Sequence, residues 1–106
     1  MATPAGGTYP VVWPRGPKAG EISPLAERPA SLVDKKIAFL WDYLFRGDEI
    51  FPMLASELTA RYPGVEFVGH ETFGSTHGDE EHEIVASLPE RLREMEVDAV
   101  ISGMGC

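Results

Sequence analysis

Residues 35–43 read KKIAFLWDY, and the segment Ile37–Trp41 is an unbroken apolar run with two lysines before it and Asp42 after it. A strand with one face in water alternates apolar and polar residues. A short continuous run bounded by charge suits a parallel strand buried on both faces. A carboxylate at the end of such a run is costly unless it is hydrogen-bonded or stands at the mouth of a site. Lys35–Tyr43 therefore predicts an α/β protein and marks Asp42 for attention.

Downstream of this strand the pattern alternates. Asp48 suits the N-cap of a helix carrying Ile50, Leu54 and Leu58 on one face, with Pro52 in its first turn. Pro63-Gly64 closes that helix, and VEFVGH (65–70) reads as a second strand. ETFGSTHG (71–78) is a loop, and Asp79 suits the cap of a second helix with the stripe Ile84, Val85, Leu88, Leu92 and Met95. Pro89 falls inside this stripe and predicts a kink or two helical pieces. VDAVIS (97–102) is a third strand, followed by GMGC (103–106).

The fold class expected is α/β: a three-layer, Rossmann-like β-α-β-α-β unit with a parallel sheet over residues 35–106, preceded by an extended Pro/Gly-rich arm over residues 1–34. Six of the nine prolines lie in the arm, which also holds Tyr9, Val11, Val12, Trp13, Ile22, Leu25 and Leu32. A disordered leader and an arm laid over a neighbouring subunit or its own sheet are the two readings of it. Three short strands bury little area, so association with another copy or a companion subunit is expected.

Parallel strands place their carboxyl ends along one edge, where open α/β sheets bind ligands. Trp41 and Asp42, then His70, Ser75, Thr76 and His77, then Ser102, Gly103, Gly105 and Cys106 lie there by sequence. Cys106, His77 and Asp42 are the candidate catalytic residues. Trp41, His70, Ser75, Thr76, Ser102, Gly103 and Gly105 are candidates for contacting a substrate. His77 stands out because Gly74 and Gly78 flank it, and it could act as a general acid or base or as the cation beside a thiolate. The spacing of His70, His77 and His82 matches no familiar metal signature, although a metal- or small-molecule-binding module using Asp42, His70 and His77 stays open. Gly103-x-Gly105 lacks the third glycine and the following helix of a dinucleotide fingerprint. These residues name no cofactor.

Composition narrows the partners. The formal net charge is −8, and the longest basic run is Lys35-Lys36, so nucleic acid is not an expected partner. No apolar stretch approaches the ~20 residues of a membrane span. The first residues lack the basic and apolar regions of a secretory signal, and a cytoplasmic setting is the default expectation. A single cysteine excludes an internal disulfide framework.

KKIAFLWDYLFRGDEIFPMLASELTARYPGVEFV, FGSTHGDEE and VDAVISGMGC together resemble the first part of the UGSC-type (seleno)protein family, over roughly residues 35–106. In that family the third strand leads through a Gly-rich turn into a selenocysteine-Gly-Ser-Cys motif, in which Cys can replace selenocysteine. The resemblance implies thiol- or selenol-dependent redox chemistry on a small-molecule or thiol substrate. The matching positions are Ser102, Gly103, Gly105 and Cys106, with His77 in the preceding loop. Residues 1–106 stop where that motif would begin. The expectation is either the N-terminal part of such a protein, closed at a UGA codon, or a small subunit contributing Cys106 and His77 to a shared site.

Overall fold

A computed structural model describes residues 6–17 and 19–105. Strand β1 spans Lys36–Trp41, helix α1 Gly47–Arg61, β2 Glu66–Val68, a 3₁₀ turn His70–Thr72, α2 Glu81–Glu94 and β3 Ala99–Gly103. The three strands are parallel in the order β2-β1-β3, so the chain builds β2 on one side of β1 and crosses to the other side for β3.

The central position of β1 explains its composition. Alternate side chains of a strand point to opposite faces. Phe39 and Trp41 pack on Phe51, Leu54 and Ala55 of α1, while Ala38 and Leu40 pack on Phe73 and on Leu88, Leu92 and Met95 of the α2 side. With a helix on each face and a strand on each edge, no residue from Ile37 to Trp41 meets much solvent. Phe39 stacks between Phe51 at 4.8 Å and Phe67 at 5.4 Å between ring centroids.

Several local expectations need correction. α1 begins at Gly47 with Arg46 at its N-cap, so Asp48 lies in the first turn instead of capping it, and Pro52 lies beyond that turn. The buried face of α1 is Phe51, Leu54 and Ala55, whereas Ile50 is exposed. Asp79 does not cap α2: Glu80 holds the N-cap position and no side chain bonds the first amides. The helix runs unbroken through Pro89. The amide bond that Pro89 forgoes would have gone to the carbonyl of Val85, an exposed residue whose carbonyl water can satisfy. β2 is only three residues long, and His70 belongs to the 3₁₀ turn after it.

Charged residues at the start of β1 fasten the sheet to its connections. The Lys36 ammonium donates to the carbonyl of Met95 at 2.9 Å, where a cation meets the negative end of α2. The Lys36 amide donates to the Asp98 carboxylate at 2.9 Å and the Asp98 amide returns to the Lys36 carbonyl at 2.8 Å. Residues 6–17 and 19–34 contain no helix or strand, and all but Leu32 are exposed. Among the described residues no helix is long and apolar enough to cross a membrane.

Because Phe39 is held between two rings, Phe39→Ala should lower the unfolding free energy by about 3–5 kcal/mol. Met53→Ala, on the exposed side of α1, should change it by less than about 0.5 kcal/mol. Urea denaturation of both variants measures this, and equal losses would contradict the packing described.

Candidate functional site at the carboxyl edge of the sheet

The carboxyl ends of β1 and β3 meet at Asp42. It is a buried carboxylate, only 5% exposed, directly after the last residue of β1. Its Oδ2 accepts the Gly105 amide at 2.8 Å and its Oδ1 accepts the Leu44 amide at 3.0 Å. Its own amide donates to the Gly103 carbonyl at 3.3 Å. The carboxylate therefore bridges the turn after β1 and the glycine turn after β3. The Gly105 amide is the main reason its pKa lies below the ordinary value. Burial opposes that shift, while the Leu44 amide, its own amide and the charge of His77 assist it.

The loop after the 3₁₀ turn docks on the same edge. Ser75 forms a parallel bridge with Trp41, and the Thr76 amide donates to the Trp41 carbonyl at 3.1 Å. The Ser75 hydroxyl accepts the His77 amide at 3.1 Å and lies 2.6 Å from the His77 carbonyl and 3.4 Å from that of Asp42. Gly74 and Gly78, on either side of the exposed His77, adopt φ of +86° and +111°, which favour glycine. Arg91 of α2 holds the start of this loop, bonding the Thr72 carbonyl and lying over the Phe73 ring at 5.2 Å.

Beneath the edge lies an aromatic cluster. Trp41 is buried, stacks on Tyr43 at 4.2 Å and meets the edges of His70 at 4.9 Å and Phe45 at 6.0 Å. Its indole N–H is buried without a hydrogen-bond acceptor among the described residues. Tyr43 holds a left-handed φ of +64°, and its hydroxyl is 3.0 Å from His70 Nδ1. The opposite ring nitrogen of His70 is 3.5 Å from the Glu71 carboxylate. Trp41 and His70 thus build the floor of the edge through packing.

Phe45 explains the glycines. A Cβ on Gly103 would lie 2.6 Å from the Phe45 ring and 2.8 Å from that of Phe51, and one on Gly105 would lie 2.7 Å from Phe45. Real Cβ atoms do not come this close, so Gly103 and Gly105 are small because the turn lies flat on Phe45.

Asp42, Ser75, Thr76, His77, Gly103 and Gly105 are thus brought together. Ser102 is exposed on β3. Cys106 follows Gly105 in sequence and lies outside the described residues. His82 is on the exposed side of α2, and among the described residues no three of His, Cys, Asp and Glu form a metal-binding group. Tyr43 and Phe45 were not singled out from the sequence. The only hint was that Tyr43-Leu44-Phe45 prolongs the apolar run past Asp42, further than the strand needs.

A parallel sheet with a helix on each face and a polar cluster at its strand carboxyl ends defines an α/β protein with an edge site. Over residues 10–106 the chain matches the model of the UGSC family, and it belongs to that family. Neither the curated proteins nor the solved structures gave a match.

Two outcomes test this geometry. Since the folded pKa of Asp42 is depressed, its contribution is complete above the unfolded value of about 3.9 and is lost as pH falls through the folded value. Asp42→Asn should be less stable than the wild type at neutral pH, with the gap closing on acidification in urea midpoints taken at stepped pH. An unchanged gap would contradict the ionised bridge. Gly103→Ala should cost about 1–3 kcal/mol, and adding Phe45→Ala should cost less than the sum of the single changes, because it removes the closer of the two ring contacts, leaving that with Phe51.

Proposed function

We propose that this chain carries part of a thiol- or selenol-dependent redox site, built on a Rossmann-like half-domain of residues 35–106. The observation that carries the reading is the bond from the Gly105 amide to Asp42. It ties the residue before the single cysteine to the carboxyl end of the central strand. The order β2-β1-β3 supports the Rossmann-like reading, because sheet growth reverses between β1 and β3, and such switch points receive ligands.

In this reading the Cys106 thiolate attacks a disulfide substrate. A new S–S bond forms to Cys106, the substrate S–S bond breaks, and the leaving sulfur departs as a thiolate that takes a proton from His77. A second thiol or selenol, from another part of the enzyme or a companion subunit, resolves the mixed disulfide. Asp42 acts as a positioning residue that holds the glycine turn. Ser102 and the glycine turn face the substrate, with the Gly105 amide engaged by Asp42.

The test is the reaction of the chain with an aromatic disulfide reagent, followed by release of the coloured thiolate. Cys106→Ser should abolish it. His77→Gln should slow it about 3–10-fold near pH 7 and approach the wild-type rate above about pH 9, where the thiol ionises without help. Equal rates at pH 7 would remove His77 from the proposed chemistry.

A further inference from the structure

The arm carries an exposed apolar segment with a built-in asymmetry. Tyr9, Val11, Val12 and Trp13 are 65–92% exposed, although nothing about a polar leader calls for such residues. In an extended strand the amide and carbonyl of one residue point to one side and those of the next to the other. In TYPVVWPR (8–15), Thr8, Pro10, Val12 and Pro14 share one side, and two of the four lack an amide hydrogen. Tyr9, Val11, Trp13 and Arg15 share the other side, and every one keeps its amide. The segment can pair with a strand along one edge only, as expected of a terminal strand that closes a sheet.

An edge to receive it exists. Among the described residues β3 pairs only with β1, and the Asp98 amide already bonds the Lys36 carbonyl. The register Ile37↔Ala99 to Trp41↔Gly103 and the bond from the Asp42 amide to the Gly103 carbonyl turn Ala99, Ile101 and Gly103 toward β1, so the backbone groups of Val100 and Ser102 point away from it, with no strand beside them among the described residues. Val100, on the face next to α2, is also exposed. The described chain measures 75 Å on its longest axis and 27 Å on its shortest, and its arm does not place Tyr9–Trp13 on its own sheet.

We propose that Tyr9–Trp13 adds as an edge strand to β3 of a second copy of this chain. Charge favours this contact over others between like molecules. Each copy carries −8, yet neither Tyr9–Pro14 nor Ala99–Gly103 contains a charged residue, so they meet without direct repulsion. Two exchanged arms, each with two aromatic and two valine side chains, would bury on the order of 1,200–2,000 Å² in total, the range of a stable interface. The family match begins at Pro10, so Pro10–Trp13 of the segment belong to the matched region.

Backbone parity supplies the test, because proline can be placed on either side of the segment. Val11→Pro and Trp13→Pro remove amides from the pairing side, whereas Val12→Pro removes one from the side already lacking two. The segment lies outside every helix and strand, so circular dichroism should show all three variants folded. Sedimentation of the full chain at about 1–100 μM should show a dimer for the wild type and Val12→Pro, with dissociation constants within about threefold of each other. Val11→Pro and Trp13→Pro should weaken the dimer at least tenfold. Hydrogen exchange should show the Val100 and Ser102 amides protected in the wild-type dimer and released in Val11→Pro. A wild-type monomer throughout this range would overturn the proposal, as would equal effects of Val11→Pro and Val12→Pro. Protection of Val100 and Ser102 in a monomer would also overturn it, by assigning the arm to its own sheet.

Discussion

The structure depends on β1 being enclosed. A helix covers each face, a parallel strand occupies each edge, and the chain at both of its ends is fastened by charged groups. The apolar run Ile37–Trp41 makes this arrangement favourable, since each of its side chains leaves water. The neighbours need less: β2 is three residues long and β3 is half-exposed, because each is an edge that only one partner stabilises. With so small a core, the entry to β1 matters. The Asp34 amide bonds the Pro63 carbonyl, and Lys36 and Asp98 bond each other, so the starts of all three strands are tied together.

At the other end of β1 a single carboxylate does the corresponding work. Ionised Asp42 satisfies amides from two turns that are far apart in sequence, which is how a buried charge is accommodated without a cation in contact. In the proposed reading Asp42 is a positioning group, where the sequence suggested catalysis. Both of its oxygens are engaged with backbone, leaving less capacity for a reacting proton. His77 differs: it is exposed and held by the Ser75 turn, close enough for its charge to act on Asp42. The chemistry proposed for the family's motif therefore rests on His77 and Cys106, and the geometry on Asp42, Phe45 and the two glycines.

Much of the fold was legible because its strongest signals are local. The apolar run, the helical stripes at Leu54 and at Leu88-Leu92-Met95, and the Pro63-Gly64 stop each follow from a few neighbouring residues. The misplaced features were those settled by competition between elements. Ile50 and Val85 fit the periodic stripes but fall just outside the faces that reach the sheet. The cap assigned to Asp48 moved where the start of α1 docks, with Gly47 pressed against the Trp41 ring, and that assigned to Asp79 moved one residue on to Glu80.

By itself the sequence determined the parallel α/β class, the order of elements and the set of residues that parallel strands must deliver to one edge. Those follow from periodicity and from the chirality of the chain, which act over short distances. Tertiary structure alone decided that Asp42 bonds Gly105, that Tyr43 takes a left-handed backbone beside His70, and that Phe45 requires glycine at 103 and 105. Each joins residues separated by 27 to more than 60 positions, or is imposed by a contact of that kind. No pattern within a strand or helix encodes how closely two such segments will approach.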